Sequence, residues 1–441
     1  MARSIRPCRS KDARSTICRM VEEEMRELRP DTSEVTSAAA LQQMVDSLGE
    51  AGGRIVLPAM ELEMDRGIAL GPNVELVGQG RSTVLRKAPG RIYPLAGYHN
   101  YGMRDVPLIF TDGLKPGMTV AIRDDVAGCF GETFARITWV DSPWVGLDRG
   151  LESDYHADQN PVLVTAFPLI YGLDVAHVAV RGLTLDGNLP AQPAGIGACR
   201  GAALYFLRSH HVTVDDVVIA DFAGEGIGFQ MCSHLTFTRC QAVRNSGNGF
   251  HPGAGSTAVR FEGCRAEGNG AAGFFFCVRA NHITVSGCDF VDNAGPGISI
   301  GTRDSHNLIE ACRVTDNGGP GILFRETRRP VAMTQVAIRG CEIRRNVQHG
   351  GVGEVTVLGD AHAVTLEGNL IVGSENRETT GVFVAPTATT IWLADNQITH
   401  CFPPVAADPA SLVAGDPVSK CGAEAVQPVD FRHLGIVVKP A

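Results

Sequence analysis

A spacing of 24 residues recurs in the second half of this 441-residue chain, in three residue types at once. Cysteine occurs at Cys240, Cys264, Cys288 and Cys312, and again after 29 residues at Cys341. Asparagine keeps the same spacing at Asn245, Asn269, Asn293, Asn317 and Asn346. Glycine keeps it at Gly249, Gly273, Gly297, Gly321 and Gly350. Three series that share one period and one five-residue insertion indicate a repeat architecture.

Within each repeat the apolar residues alternate with period two, as in AVRFEGC, HITVSGC and VAIRGC. This period indicates strands, and 24 residues are too few for a strand–helix–strand crossover. The 51 glycines and the low aromatic content of 6% also argue against a helical bundle. The sequence therefore predicts an all-β protein, a right-handed parallel β-helix whose coils of ~24 residues stack at ~4.8 Å per step.

The repeated residues have structural roles in such a fold. Identical side chains on successive coils lie above one another, so an interior asparagine can hydrogen-bond its own turn and the next coil. Cysteine fills the corners as a small apolar side chain. No CxxC or CxxxC pair occurs, which argues against structural zinc, and the scattered cysteines favour a reducing compartment.

The remaining segments break the repeat. Residues 1–33 are highly charged and are expected to form a mobile arm. Residues 34–87 are predicted to hold a capping helix from Thr36 to Leu48, with Thr36 or Ser37 as N-cap, and the first coils. Residues 88–170 are predicted to be an inserted β-subdomain, 171–400 the main parallel β-helix, and 401–441 a C-terminal tail or cap.

Composition excludes several classes of function. No run of 18 apolar residues exists, so no membrane span is predicted. The net charge of −9 argues against a nucleic-acid partner. No signal peptide is visible at the N-terminus, which favours a cytoplasmic location and leaves export by another route open. No cofactor is predicted, and the oligomeric state stays open.

The stretches TSAAALQQMVDSLGEAGGRIVLP and VELVGQGRSTVLR resemble the N-terminal cap and first coils of the pectate-lyase-like superfamily. GISIGTRDSHNLIEACRVTDN and GILFRE are similar to the coils of its lyases and of polygalacturonase-type hydrolases. The resemblance implies a right-handed β-helix that acts on a polysaccharide. The NTD motif, Asp pair and G-H-G motif of the hydrolases are not intact, and Pro296 stands where the histidine would fall. The Asp and Lys residues of calcium-dependent pectate lyases are not evident either.

Alternation places three outward columns on one strand of each coil. The first is His251, Phe275, Ser299 and Leu323, the second is Gly253, Cys277, Gly301 and Arg325, and the third is Gly255, Arg279, Arg303 and Thr327. Small residues would form the floor of a solvent-open groove, and the arginines would bind carboxylate or sulfate groups. A polymer could lie along such a groove.

Nine residues are candidates for this site. The predicted catalytic residues are His251, Arg303, Asp304 and Glu326, and the predicted substrate-binding residues are Arg279, Arg325, Phe275, Glu225 and Asp186. Each has a structural alternative: the histidine could stabilise a turn, the aspartates could cap turns, the arginines could pair with nearby carboxylates, and the phenylalanine could pack. No metal ligand is predicted.

The favoured function is binding of an acidic poly- or oligosaccharide and its cleavage by β-elimination. This reaction needs a cation for the uronate carboxylate, here Arg279 and Arg303, and a base for the C5 proton, here His251. Hydrolysis by a carboxylate pair is the first alternative, and Glu225, Asp304 and Glu326 are the acidic residues near the groove. A non-catalytic carbohydrate-binding or structural β-helix is the second.

Overall fold

The structure is a computed structural model that describes residues 25–126, 131–193, 195–374 and 378–413. Most of the predicted arm and most of the predicted tail lie outside these residues. Before the insertion the chain forms a helix and six strands: α1 (Ala38–Ser47), β1 (Glu27–Leu28), β2 (Gly53–Val56), β3 (Met60–Met64), β4 (Ile68–Ala69), β5 (Val74–Val77) and β6 (Thr83–Lys87). Ser37 is the N-cap, because its hydroxyl accepts a hydrogen bond from the Ala40 amide at 3.1 Å.

The insertion folds into a separate six-stranded antiparallel sheet, named sheet C. Its strands are β7 (Ile92–Pro94), β8 (Asp105–Pro107), β9 (Thr119–Arg123), β10 (Thr133–Asp141), β11 (Trp144–Leu147) and β12 (Val162–Val164). It has its own apolar core, which includes Tyr93, Val106, Val120 and Tyr155. Sheet C therefore folds around its own apolar residues and not as part of the coils.

After the insertion the chain returns to stacked coils. The strands are β13 (Ile170–Leu173), β14 (Ala176–Asp186), β15 (Ala202–Leu207), β16 (His210–Ala220), β17 (Glu225–Gln230), β18 (Ser233–Thr238), β19 (Gln241–Val243), β20 (Phe250–Pro252), β21 (Thr257–Glu262), β22 (Arg265–Glu267), β23 (Phe274–Phe275), β24 (Asn281–Ser286), β25 (Asp289–Val291), β26 (Ile298–Ile300), β27 (Ser305–Glu310), β28 (Arg313–Thr315), β29 (Ile322–Phe324), β30 (Thr334–Arg339), β31 (Glu342–Arg344), β32 (Gly353–Val357), β33 (His362–Glu367), β34 (Leu370–Val372), β35 (Thr380–Val384), β36 (Thr389–Ala394), β37 (Gln397–Thr399) and β38 (Val405–Ala406). Short 3₁₀ turns cover Gly80–Ser82, Ala157–Gln159, Leu189–Ala191, Cys199–Gly201 and Pro409–Ser411.

Two parallel sheets form the coils. In the described residues, sheet A has 21 strands, and sheet B has the 11 strands β4, β13, β15, β17, β20, β23, β26, β29, β32, β35 and β38. A typical coil contributes one strand to sheet B and then two to sheet A, as β20, β21 and β22 do. The interior is filled by the inward residues of both sheets, among them Phe250, Phe274, Ile298 and Ile322, all fully buried. The prediction of a right-handed parallel β-helix is confirmed.

Both ladders are present. The residues that follow the five repeated cysteines pair in register from coil to coil, so the cysteines form one buried row at a corner of sheet A. In the asparagine row, each side-chain amide donates to the Oδ1 of the next asparagine at 2.8–3.0 Å. Each also donates to a backbone carbonyl of the preceding coil, Asn269 to Ala242 for example. The asparagines therefore satisfy buried polar groups of two coils.

The asparagine ladder ends on a buried carboxyl group. Asn346 donates its backbone and side-chain amides to Glu354, which has no exposed surface. Burial raises the pKa of Glu354 to about 7, although the hydrogen bonds from Asn346 act in the opposite direction. The folded chain therefore favours the protonated carboxyl group.

This carboxyl group predicts a pH-dependent stability. Between its ordinary pKa and about 7 the folded chain holds a proton that the unfolded chain releases, so the free energy of unfolding decreases as pH rises through this range. We expect a loss on the order of 3 kcal/mol that Glu354→Gln abolishes. Urea unfolding of both proteins at pH 5 and pH 8 measures the difference between them. Equal pH dependence in both would contradict the prediction.

Candidate functional site

The outward residues of sheet B form one continuous column. The strand registers align Tyr171, Tyr205, Gly228, His251, Phe275, Ser299 and Leu323 on successive coils. The predicted order from His251 to Leu323 is therefore confirmed. Polar and charged side chains gather around the middle of this column, and they form the candidate site.

The centre of the site is a buried histidine–glutamate pair. Nδ1 of His251 lies 2.5 Å from Oε2 of Glu225, and the other carboxylate oxygen accepts a hydrogen bond from Asn248 at 2.8 Å. Both side chains of the pair are 6% exposed. Burial by itself lowers the pKa of His251. The Glu225 carboxylate and the Cys277 thiol together raise it by more than burial lowers it, so the pKa is about 9. The ring is therefore an imidazolium at neutral pH, and its Nδ1–H donates to Glu225.

The second ring nitrogen of His251 has no hydrogen-bond partner among the described residues. Nε2 is buried, and it lies on the side of the ring opposite the Glu225 contact. An unsatisfied buried donor costs about 1–3 kcal/mol, and more when it is charged. Such a group persists where an approaching ligand or a neighbouring reactive group uses it. We therefore place the reactive edge of the site at Nε2.

Cys277 is the neighbour of this edge. Its backbone amide donates to the carbonyl of Pro252 at 3.0 Å, which fixes the cysteine beside the strand that carries His251. Its thiol is among the groups that raise the pKa of His251. Of the nine cysteines in the described residues, Cys277 is the half-buried one and the other eight are buried. This thiol is thus the accessible sulfur of the site.

Arg325 supplies a second cation. Its guanidinium donates to Oγ of Ser299 and to the carbonyl of Phe276, both at 2.7 Å, and lies 4.1 Å from the ring centre of Phe275. Phe275 in turn meets the His251 ring edge-on at 5.0 Å between centres. Phe275 is therefore held between the two cations, with Arg325 26% exposed.

A glycine makes room for this arginine. A Cβ atom at Gly301 would lie 2.0 Å from Nη2 of Arg325, so a larger residue here would displace the guanidinium from this position. The sequence analysis predicted small residues in the floor of the site, and Gly301 has this role.

Two further glycines, Gly228 and Gly253, leave room for a segment that covers sheet B. A Cβ atom at Gly228 would lie 2.5 Å from the Cys199 carbonyl oxygen, and one at Gly253 would lie 2.9 Å from Cys199 Sγ. The Cys199–Gly201 turn therefore packs directly on sheet B and bounds the site beside His251. Glu225, Phe275 and this turn leave His251 only 4% exposed. The predicted solvent-open groove at His251 is wrong, because His251 is buried and its neighbours Phe275, Cys277 and Arg325 are half-buried.

Asp304 stabilises the turn after β26. Its carboxylate accepts hydrogen bonds from the backbone amides of Ala280 at 3.0 Å and Gly301 at 2.7 Å. Complete burial raises its pKa to about 6, while the two amides and Arg325, whose Nη2 is 3.7 Å away, act in the opposite direction. Asp304 therefore caps the turn and helps to orient Arg325, which is the structural alternative considered for it.

Four predicted residues lie away from this cluster. Arg279 and Arg303 are exposed and have positive φ angles of 66° and 57°, and within the described residues neither forms an ion pair. Glu326 is exposed and 3.5 Å from Arg328. Asp186 is the last residue of β14; its carboxylate accepts a hydrogen bond from the Asn188 amide at 2.8 Å and lies 3.7 Å from Arg86. The structural alternative, in which Arg279 and Arg303 pair with nearby carboxylates, is therefore not found for them in the described residues, where Asp304 and Glu326 lie near Arg325 and Arg328 instead.

The reason that Arg279 and Arg303 lie away from the cluster is the length of the strands. β23, β26 and β29 contain two or three residues, so strand alternation ends before it reaches Arg279 and Arg303. Sequence reasoning named Cys277 only as part of the floor, and it missed Asn248.

A separate cavity lies between sheet C and sheet B. It is open to solvent, has a volume of about 90 Å³ and is lined by Phe134, Arg136, Arg149, Tyr171, Arg200 and Tyr205, among others. Arg200 pairs with Glu152 through two bonds of 3.0 Å and so links the Cys199–Gly201 turn to the insertion. This turn stands between the cavity and His251.

Within the described ranges, no group of three or more His, Cys, Asp or Glu side chains is arranged to hold a metal ion. No helix in that part of the chain is both long and apolar enough to span a bilayer.

Comparisons with known proteins agree on the architecture. A family model described as right handed beta helix region matches residues 194–290 and 255–398. The A-module of the mannuronan C-5 epimerase AlgE4 from Azotobacter vinelandii is similar in structure, with a TM-score of 0.57 and 16% identity over 87% of this chain and 97% of that chain. The polygalacturonase from Erwinia carotovora ssp. carotovora has a TM-score of 0.50 and 10% identity over 89% and 95%. No curated protein sequence matches the chain.

Proposed function

Because the chain is a right-handed parallel β-helix protein, we propose that it is a carbohydrate-active enzyme that binds an acidic poly- or oligosaccharide and cleaves it by β-elimination. The observation that carries the proposal is the arrangement of two cations, the His251 imidazolium and the Arg325 guanidinium, on either side of the Phe275 ring. A uronate residue has the matching features, a carboxylate beside an apolar sugar face. Two similar structures bear the names of enzymes of uronate polymers, a mannuronan epimerase and a polygalacturonase.

Arg325 neutralises the substrate carboxylate in this scheme. A guanidinium can bind a carboxylate through two parallel hydrogen bonds, and neutralising that charge makes the neighbouring C5 proton more acidic. Arg325 is held by Ser299 and Phe276, so little reorganisation is needed when substrate binds. Arg325 therefore has the carboxylate-binding role predicted for Arg279 and Arg303.

His251 is the proton donor in this scheme. The sequence analysis assigned it the role of base, but a pKa of about 9 keeps it protonated at neutral pH. In β-elimination the C5–H and C4–O bonds break, a C4=C5 double bond forms, and the leaving oxygen takes up a proton. Nε2–H of His251 can supply that proton, because Nδ1–H is engaged by Glu225.

The carboxylates favour elimination over hydrolysis. Hydrolysis requires an acid and a second carboxylate on opposite sides of the scissile bond. Glu225 is bound to His251 and Asn248, Asp304 accepts two backbone amides, and Glu326 is near Arg328 on the exposed surface. None of these arrangements leaves two carboxyl groups facing one sugar.

A substrate panel tests the proposal. The purified protein is incubated with alginate, polygalacturonate, glycosaminoglycans and neutral glucans, and unsaturated product is followed by ultraviolet absorbance beside reducing-end release. Absorbance with a uronate polymer is the expected result. Reducing ends without absorbance would indicate hydrolysis, and saturable binding without either product would indicate a binding protein.

The pH dependence follows from the state of His251. Since the protonated ring is the active form, the elimination rate should decrease above about pH 9. Replacing Glu225 by Gln removes the charge that raises this pKa, so the decrease should begin at a lower pH. Rate profiles of both proteins between pH 5 and 11 measure the shift. A wild-type rate that instead increases through pH 9 would mean that the neutral ring acts as base.

A further inference from the structure

The cavity between sheet C and sheet B has aromatic walls. Tyr171 and Tyr205, which pair on adjacent coils, line it from sheet B, and Phe134 of β10 lines it from sheet C. Aromatic rings offer an apolar surface on which the C–H face of a sugar can pack. The volume of about 90 Å³ holds about six to nine water molecules, which is similar to the ring and hydroxyl groups of one sugar residue.

The aromatic rings are held in place by the protein itself. The Tyr205 hydroxyl donates to Oε1 of Gln230 at 2.8 Å, and the Arg200 guanidinium lies 4.9 Å from the ring centre of Phe134. Arg200 is in turn bound to Glu152 by two hydrogen bonds of 3.0 Å. A surface that is already ordered loses little conformational freedom when a ligand binds, which favours affinity.

Two further arginines supply positive charge to this cavity. The side chains of Arg136 and Arg149 are 55% and 46% exposed, and their guanidinium groups lie 3.8 and 3.7 Å from the same carboxylate, that of Asp148. Both distances are longer than a hydrogen bond, and Oδ1 of Asp148 accepts the backbone amide of Arg136 at 2.8 Å. One carboxylate therefore faces two guanidinium groups, and one positive charge is left unbalanced.

We propose that this cavity is a second saccharide-binding site, which takes one residue of an acidic saccharide, with Arg136 and Arg149 on its carboxylate and the three aromatic rings on its apolar face. A guanidinium can bind a carboxylate through two parallel hydrogen bonds. The local excess of positive charge, on a chain whose net charge is −9, favours an anionic ligand. The inference rests on the proposed function only for the choice of a saccharide, because its residues are separate from His251 and Arg325.

The cavity is also separate from the proposed catalytic site in space. Tyr205 precedes His251 by two coils of sheet B, which is about 10 Å, and the Cys199–Gly201 turn packs against Gly228 on the coil between them. A sugar residue in the cavity therefore does not occupy the catalytic site. Binding one stretch of a polymer there would hold a neighbouring stretch near His251 and raise its effective concentration.

Protection of arginines from phenylglyoxal tests the inference in the wild-type chain. The protein is modified with and without saturating D-galacturonate or D-mannuronate, which have a carboxylate and no glycosidic bond to cleave, and peptide mass spectrometry gives the rate at each arginine. We expect at least one of the two uronates to slow modification of Arg136 and Arg149 by at least about 5-fold. Arg313 and Arg345 are matched controls, since they are 44% and 50% exposed and pair with aspartates, and their rates should not change.

Three results would overturn the inference. Unchanged rates at Arg136 and Arg149 with both uronates would mean that no uronate binds in the cavity. Equal protection by glucose would mean that the carboxylate is not recognised. Equal protection by inorganic sulfate would identify a site for small anions and not for a saccharide.

A single substitution tests whether the two arginines share one ligand. In Arg136→Gln, protection of Arg149 by the uronate should fall below about 2-fold, because half of the carboxylate site is removed. Arg345→Gln, which removes the same charge from sheet A, should leave protection of Arg149 at the wild-type value. Full protection of Arg149 in Arg136→Gln would overturn the shared site.

Arg325 in the same digests separates this inference from the proposed function. Protection of Arg325 without protection of Arg136 and Arg149 would overturn the inference while the proposed function stands. Protection of Arg136 and Arg149, together with no unsaturated product from any polymer, would support the second site and remove the proposed reaction.

Discussion

Replacing His251 by Gln is expected to lower kcat for β-elimination by about 100- to 10,000-fold, the range over which a positioned acid or base contributes to catalysis. Glutamine can still donate a hydrogen bond to Glu225, but it carries no charge and transfers no proton. The substitution therefore removes the proton for the leaving oxygen. Initial rates of unsaturated product at saturating uronate substrate measure the effect.

The control distinguishes catalysis from folding. His306→Gln replaces a histidine that stacks on His282 at 4.6 Å in sheet A, away from the site. We expect wild-type kcat from this variant. If His251→Gln retains saccharide binding and melts near the wild type while losing kcat, the role is chemical. A His251→Gln protein with full kcat would remove the histidine from the mechanism.

The coils could be predicted from the sequence because their determinants are local and repeated. Each ladder residue meets its own equivalent one coil away, so a single spacing fixes strand register, the interior rows and the coil length together. The N-cap of α1 could be predicted because it is also local: Ser37 and the amide it binds are three residues apart. Burial of Phe250 and Phe274 then follows from period-two alternation.

The site could be predicted only in part. Glu225, His251 and Phe275 are brought together because they lie on the neighbouring strands β17, β20 and β23 of sheet B, and Arg325 directly follows β29, two strands further along. The positions of Arg279 and Arg303 were predicted by extending strand alternation beyond the strand ends. There the backbone φ angles of both residues are positive, so the alternation no longer holds. The charge of His251 depends on burial and on Glu225 together, and no sequence spacing gives that balance.

The covering turn Cys199–Gly201 could not be predicted from the repeat. Cys199–Gly201 belongs to the connection between β14 and β15, which shares no spacing with the other coils. Its contact with Gly228 and Gly253 becomes visible only once the sheet is built, and it changes the site from an open groove to a buried histidine beside an accessible thiol. Arg200 of this turn forms a salt bridge with Glu152 of the insertion.

The second large effect concerns the asparagine ladder, and we expect Asn293→Ala to lower the free energy of unfolding by about 3–5 kcal/mol. Asn293 accepts from the backbone and side-chain amides of Asn269, and it donates to Asn317 and to the carbonyl of Ala266. Alanine leaves the Asn269 backbone amide and the Ala266 carbonyl buried without partners, each at a cost of about 1–3 kcal/mol. Urea unfolding followed by circular dichroism measures the loss.

Asn396 provides the matched control, because it occupies the last rung of a second, shorter asparagine stack. It accepts from Asn369 and donates to the carbonyl of Leu366, as an inner rung does, but its side chain is half-buried. Water can replace its bonds, so Asn396→Ala should cost about 1 kcal/mol. Each coil of a solenoid is stabilised mainly by its two neighbours, so losing a central rung weakens the coils on both sides. Equal losses at Asn293 and Asn396 would mean that coil stability comes from the apolar rows alone.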